Sequence, residues 1–425
     1  MIPSALDEAA PAAPIAQSGA ARVFSALGNP SFRNLWLGQL GSGSAEWMDQ
    51  VTRGWLVYEL TGSALLLGVA TALRSLPLLL LGVWGGVFAD RFDRRRLLLV
   101  VEGAALLLDL SLALLVLSGL VQVWHVLLTG VFSGTAMSFT QPARQAYIAD
   151  LVDRPRLLNA IALNSGAHNL TRTVGPALAG FVIAGAGEGH SGAGYSYVVQ
   201  AILWGWAFVW TMSIRASTRS HGVRSTNMWH ELLAGFVYVR SQPVIVALLL
   251  VALIPTLLAQ PYLAMVPIFA ADILAAGPDG LGILMACSGA GALVGTLGVA
   301  ASGDPRGKGG MMLGGLSVFG LGLAAFATSG WLVASALALA LAGAAQSVYR
   351  AMNVGLLQTQ ATEEMRGRIM SFYLLDRGMG PAGALLMGTL AEVGGAPLAV
   401  FLTGGSCFLL AGSLLILSPG LRRLA

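Results

Sequence analysis

The run Gly86-Val-Phe-Ala-Asp90-Arg91-Phe-Asp93-Arg94-Arg95-Arg96 places six charges between two long apolar segments. Such a run cannot rest in hydrocarbon, where a single ionised side chain costs about 2.5–3.5 kcal/mol on insertion scales. The flanking segments, 63–89 and 97–118, each hold about 20 predominantly apolar residues, the length a helix needs to cross a bilayer. The run is therefore expected to be a tight loop between two membrane-spanning helices.

Composition extends this reading to the whole chain. Hydrophobic residues make up 56% of the 425 and charged residues 10%, against about 45–50% and about 25% in soluble domains. The sequence predicts an all-α membrane protein with twelve transmembrane helices, at roughly 35–58, 63–89, 97–118, 122–144, 158–185, 195–214, 244–270, 280–302, 310–328, 331–357, 369–391 and 396–418. Cys287 and Cys407 fall in separate spans, far from any metal-ligand spacing, so neither a disulfide framework nor a metal site is expected.

Residues 1–30 carry Asp7, Glu8 and several prolines, and no apolar core follows a basic start. They read as a disordered tail rather than a signal peptide. Arg22, Arg33, the 91–96 cluster, Arg154, Arg156, Arg215, Arg219, Arg224, Arg240, Arg306, Lys308, Arg366, Arg368, Arg422 and Arg423 all fall on one side of this topology. The opposite connections hold Glu188, His190, Asp272 and Asp279 and no Lys or Arg. The basic side is cytoplasmic by the positive-inside rule, with the 1–30 and 419–425 tails both inside. This sidedness accounts for the net charge of +4 without a nucleic-acid partner.

The longest polar interval, 215–242, divides the chain into an N-terminal bundle (31–214) and a C-terminal bundle (243–418). Within it Trp229, Leu232, Leu233, Phe236 and Val237 share one helical face, the pattern of a helix lying at the membrane surface. An internal repeat supports the division. Arg172-Thr-Val-Gly175-Pro176-Ala177 in the fifth span returns as Arg377-Gly-Met-Gly380-Pro381-Ala382 in the eleventh, and duplicated halves around a central site are a known transporter architecture. The segment 303–308 is a degraded counterpart of the charged run at 86–96. It imitates a phosphate loop, but Gly309 stands where Ser or Thr is required, so no nucleotide cofactor is expected and transport would draw on a gradient. Gly289, Gly291, Gly295 and Gly298 follow no strand and read as a close-packing helix face.

The pattern G-x-x-x-D-R-x-D-R-R resembles the signature between the second and third helices of the major facilitator superfamily, and the likeness extends over about 31–418. It implies the major facilitator fold, two pseudo-symmetric six-helix bundles that rock about a central site, and a secondary transporter rather than an enzyme. It also implies that Gly86, Asp90, Arg91, Arg94 and Arg95 form a cytoplasmic latch. Gly175-Pro176-Ala-Leu-Ala-Gly180 is similar to the fifth-helix signature associated with exporters. Proline removes a backbone hydrogen bond and glycine permits close approach, so Gly175, Pro176 and Gly180, with Gly380 and Pro381 in the repeat, are expected to bend their helices. Leu60-Thr-Gly-Ser63, Arg366-Gly-Arg368 and the Trp229–Pro243 segment resemble the branch of drug/proton antiporter-like proteins that includes enterobactin exporters and many multidrug exporters.

Charges within the spans are the candidate mechanism. At 1.5 Å per residue, Glu46, Arg74 and Asp109 fall near the bilayer midplane. Asp49, Arg53 and Arg172 lie nearer the outside, and Arg350, Asp376 and Arg377 nearer the cytoplasm. One reading is an ion-pair network that holds the bundle together; the other is that at least one acid titrates during transport. Asp49 and Arg53 have the spacing and order of an intrahelical pair. Glu46 finds no base on its own helix, so it is expected to exchange the proton while Arg74 and Asp109 form a fixed pair. His168, one turn before Arg172, reads as a packing residue. The expected function is proton-coupled export of small amphiphilic compounds, drug-like or siderophore-like, by a monomer in a bacterial inner membrane. The alternatives are an importer or lysolipid flippase of the same fold, or a non-transporting receptor or scaffold.

Overall fold

The computed structural model describes residues 24–186, 190–214, 237–303, 305–362 and 378–424, together with 365, 369, 373 and 376. The tail before Phe24, the Trp229–Phe236 part of the surface-helix prediction, and Arg366, Arg368 and Arg377 lie outside the described residues. Among the described residues, twelve long helical segments follow one another: α1 (Pro30–Thr61), α2 (Ala64–Arg91), α3 (Arg94–Leu117), α4 (Val123–Leu151), α5 (Arg154–Gly185), α6 (Ser191–Met212), α7 (Pro243–Ile273), α8 (Gly277–Ala301), α9 (Lys308–Thr328), α10 (Leu332–Gln360), α11 (Gly380–Gly394) and α12 (Ala396–Leu417).

Local chemistry sets the helix ends. Asn29 accepts hydrogen bonds from the Ser31 and Phe32 amides ahead of α1, and Gly62 closes that helix at φ 62°, a conformation glycine adopts without steric cost. Ser63 caps α2 through the Leu66 amide, and Asp93 caps α3 through the Arg96 amide. The charged run is consequently not a loop. Helix α2 continues through Gly86, Asp90 and Arg91, and only Phe92 and Asp93 separate it from α3. Helix formation satisfies the backbone of these polar residues, and a two-residue turn needs no more chain than that.

Within the first half α1 packs on α5 and α6, α2 on α4, and α3 on α6; within the second α8 packs on α10, and α9 on α10 and α12. Adding six to each helix number maps α2–α4 onto α8–α10 and α3–α6 onto α9–α12, the packing counterpart of the sequence repeat. Between the halves the principal pairs are α5 with α8 and α2 with α11. The same operation exchanges these two pairs, so the boundary has approximate twofold character.

The bundle is apolar outside and polar within. Val100, Leu107 and Leu114 of α3 and Leu409 and Ile416 of α12 are exposed, whereas Asp49, Arg53, Glu102, Asp109, Arg144 and Asn353 are buried. That distribution suits a protein whose surroundings are lipid and whose interior faces water or substrate. Helix α7 is interrupted twice by π-helical turns, where the Gln260 amide reaches the Pro255 carbonyl at 2.7 Å and the Leu274 amide reaches that of Phe269 at 2.8 Å. Pro255, Pro261 and Pro267 each remove an amide from this helix, which accounts for its irregular ladder.

Candidate functional site

A cavity of about 500 Å³ lies between the two halves and is lined from both, by α1, α2, α4 and α5 on one side and α7, α10 and α11 on the other. Its walls carry Glu46, Arg74, Arg172 and Arg350 among many side-chain amides. A volume of this size lies within the range of about 300–1,000 Å³ typical of small-molecule sites.

The end of the bundle opposite the basic connections is closed over this cavity. Gly180 of α5 meets Gly282 of α8 backbone to backbone, so that a Cβ on Gly180 would fall 2.1 Å from the Gly282 Cα. A Cβ on Gly68 of α2 would fall 2.6 Å from the Ala384 oxygen of α11. Three polar contacts span the same end. The Ser63 hydroxyl donates to Glu392 at 3.0 Å, the Leu65 amide donates to the same carboxylate at 2.9 Å, and the Tyr58 hydroxyl donates to Asp272. The α5–α8 contact continues inward at Gly289, where an added Cβ would fall 2.8 Å from the Thr173 Cα. Toward the basic end, Leu79 of α2 packs on Gly378, just ahead of α11.

The candidate charges fall into distinct groups. In the first half, Asp49 is held by two guanidinium groups. Arg53 binds it through Nη2 at 2.7 Å and Nε at 3.2 Å, and Arg74 through Nε at 3.0 Å. Arg53 also donates to the Val126 carbonyl and to Thr129 Oγ1, tying α1 to α4. The expected Arg74–Asp109 pair does not form, because the carboxylate of Asp49, projecting from the adjacent face of α1, takes the Arg74 guanidinium instead. Asp109 is buried at 4% exposure, and its Oδ2 finds no hydrogen-bond partner among the described residues. Glu46, Asp49, Arg74 and Asp109 line one cleft of about 40 Å³, large enough to hold water. Glu46 and Arg74 also line the central cavity, so this cleft adjoins it.

At the boundary, Arg172 of α5 donates to Gln346 of α10 at 2.6 Å and lies over the Trp47 ring at 5.7 Å. His168 packs against the same ring, with centroids 6.1 Å apart. Asp376 accepts from Thr256 of α7 at 2.9 Å. Among the described members of the latch signature, Arg94 pairs with Asp150 of α4 and Arg95 donates to the Thr211 carbonyl at the end of α6, both inside the first half. Gly86, Asp90 and Arg91 lie in the last turns of α2.

The two repeats of the Gly-Pro element are placed differently. Gly175 packs against α1, where an added Cβ would come 2.7 Å from that of Trp47, and Pro176 sits inside the continuous α5. Pro381 instead occupies the first turn of α11, where its missing amide would be unpaired in any case, and Gly380 faces open space beside the cavity. Ile369, Tyr373, Asp376 and Gly378 ahead of it are also helical, so Gly380 and Pro381 directly follow an interruption at Met379 within the predicted span.

A buried pair escaped the sequence reading. Arg144 of α4 binds Glu102 of α3 at 3.2 Å and donates to Ser42 Oγ of α1 at 3.1 Å, with both ions essentially inaccessible. Both residues fell close to the ends of their predicted spans, where charges attract no notice. Helix α4 runs on to Leu151, which places Arg144 well inside it.

A central cavity between two exchanged helix pairs, with ionisable groups buried beside it, is the arrangement of a transporter. The chain belongs to the major facilitator family described as transmembrane secretion effectors, which it matches over residues 21–424. Members of this superfamily are transporters and not enzymes. The chain is similar to the staphyloferrin A transporter of Staphylococcus aureus, with 25% identity over 82% of this chain and 86% of that protein. It is also similar to the enterobactin exporter EntS of Shigella boydii, with 26% identity over 92% of each. Among solved structures, a D-xylose–proton symporter superposes with a TM-score of 0.73 at 15% identity, covering 92% of this chain and 99% of that one. A bacterial homologue of the lysosomal transporter Spinster, in an inward-facing and unoccupied conformation, superposes with a TM-score of 0.72 at 14% identity, covering 92% and 98%. Its fold is that of the major facilitators.

Proposed function

We propose that this protein exports small amphiphilic compounds of the siderophore or drug type across a bacterial inner membrane, driven by protons, through alternating access. The observation that carries the reading is the cavity of about 500 Å³ lined by both halves, with close contacts between the halves at the end away from the basic connections. With the basic end in the cytoplasm, as the charge distribution favours, a cavity sealed at the opposite end is accessible from the compartment in which an exporter loads. Two relatives named as siderophore transporters, one of them an exporter, favour the outward direction.

Proton coupling resides in the cleft beside the cavity. Asp49, gripped by Arg53 and Arg74, is suited to remain ionised throughout the cycle. Asp109, buried with one oxygen unmatched, is suited to take a proton because an unmatched charge is costly there, and Glu46 stands where the cleft meets the cavity. A proton arriving through Glu46 and held at Asp109 weakens the attraction of that region for Arg74, the residue that joins α2 to α1. Because α2 also forms the boundary with α11, this is a route from protonation to movement of the halves.

Everted membrane vesicles energised by a proton gradient test the reading, with a panel of catecholate and citrate-type siderophores and lipophilic cations as cargo. Accumulation that a protonophore abolishes supports it. Gradient-dependent uptake into right-side-out vesicles instead would make the protein an importer.

A further inference from the structure

The charges facing the central cavity are unequal. Among the described lining residues, Arg74, Arg172 and Arg350 face one carboxylate, Glu46, while Asp376 lies behind the lining Thr256, which donates to it. Arg74 is engaged by Asp49, outside the cavity lining, while Arg172 and Arg350 bring two more guanidinium groups to the wall. They are placed together. Arg172 from the first half donates to Gln346 of α10, and Arg350 stands one turn further along the same helix, on the same face. Arg350 forms no ion pair or hydrogen bond with another described residue. An arginine in this position within a membrane protein is costly unless an anion meets it.

Resting on the transporter reading above, we infer that the cavity takes an anionic, carboxylate-bearing ligand, clamped between Arg172 of α5 and Arg350 of α10. Guanidinium groups present planar forks that match a carboxylate with two parallel hydrogen bonds, and low-dielectric walls strengthen the field they set up. The side-chain amides around them, Gln50, Asn169 and Gln260 among them, supply donors and acceptors for hydroxyl and amide groups of the same ligand. The Trp47 ring beneath Arg172 holds that guanidinium at the boundary by cation–π attraction and offers an apolar face to the rest of the molecule. The ligand would span the two halves where Gln346 now spans them, so its binding acts on the element that moves. Lipophilic cations are disfavoured by the same charges.

The test is a thermal-shift titration of the purified full-length protein at constant ionic strength, with citrate as the anionic probe and tetraphenylphosphonium as the cationic one. Citrate is expected to raise the melting temperature along a saturating curve, and tetraphenylphosphonium to give none. Arg350→Gln should raise the citrate midpoint at least about tenfold, and Arg350→Lys by less, because it keeps the charge and loses the fork. Gln346→Glu places a carboxylate between the two arginines and should abolish the citrate response in a protein whose unliganded melting temperature is at least that of wild type. Equal citrate midpoints in wild type and Arg350→Gln, no saturable citrate response in wild type, or saturation by the cation alone would each overturn the inference. None of these results bears on export itself, which the vesicle panel reads with cargo of both charges.

Discussion

Gly180 of α5 and Gly282 of α8 meet across the boundary between the halves with no room for a side chain on Gly180. The contact belongs to the end of the bundle that the structure holds closed, beside the clasp of Ser63 and Leu65 on Glu392. Gly180→Val forces a branched side chain into backbone. Overpacking of this kind costs about 1–3 kcal/mol, and about 1.4 kcal/mol changes an equilibrium tenfold. The variant should therefore favour the state in which this end is open, with transport reduced about tenfold or more by the same conversion. Spin-label distances between α5 and α8 at this end should lengthen; unchanged distances would show that the glycine pair does not set the balance of states.

The buried Glu102–Arg144 pair should behave as a unit. Removing one partner of such a pair leaves an unmatched buried charge and costs about 3–5 kcal/mol, whereas replacing both with apolar residues is often close to neutral. Arg144→Met is expected to lower the melting temperature sharply, and the Glu102→Met/Arg144→Met double variant to recover most of the loss. A double variant as unstable as the single one would assign Arg144 a further role, through its bond to Ser42.

Much of this architecture is legible in the sequence because apolar length and charge placement answer to the bilayer. Most span boundaries fell within several residues of the helices, the 63–89 segment corresponding to Ala64–Arg91, whereas α4 runs on to Leu151 and α11 begins at Gly380 rather than 369. Pairing was less legible. Arg74 can reach several acids at similar depth, and only the rotation of α1 against α2 decides that Asp49 receives it. The same limit hid Gln346, one amide among many in the chain, whose importance comes from the helix that faces it. A depth estimate places a charge along the membrane normal and says nothing of which neighbour it turns toward.

The acids near the midplane should separate by role. Glu46→Gln and Asp109→Asn are each expected to abolish proton-driven accumulation while downhill exchange of cargo persists. Asp49→Asn leaves Arg53 and Arg74 without their shared counter-ion and should reduce folded yield as well as transport. Wild-type accumulation in both Glu46→Gln and Asp109→Asn would remove this cleft from coupling and direct attention to Asp376.

Sidedness follows from the basic end. In a protein carrying Cys287→Ser and Cys407→Ser, single cysteines at Ser191 and Ser329 should react with an impermeant thiol reagent applied to intact cells, and one at Ser302 should not. The reverse pattern would invert the topology, and with it the direction in which the cavity opens.

The central claim is that one cavity serves both faces of the membrane in turn, under control of the proton gradient. A single cysteine at Gln141, in the cavity wall contributed by α4, reads this directly. Without a gradient it should react with impermeant reagent from the basic face only. With a proton gradient imposed, reactivity from the opposite face should appear, and Asp109→Asn should hold the protein at one distribution whatever the gradient. Labelling confined to the basic face under every condition, in a folded protein that still moves cargo, would contradict alternating access about this cavity.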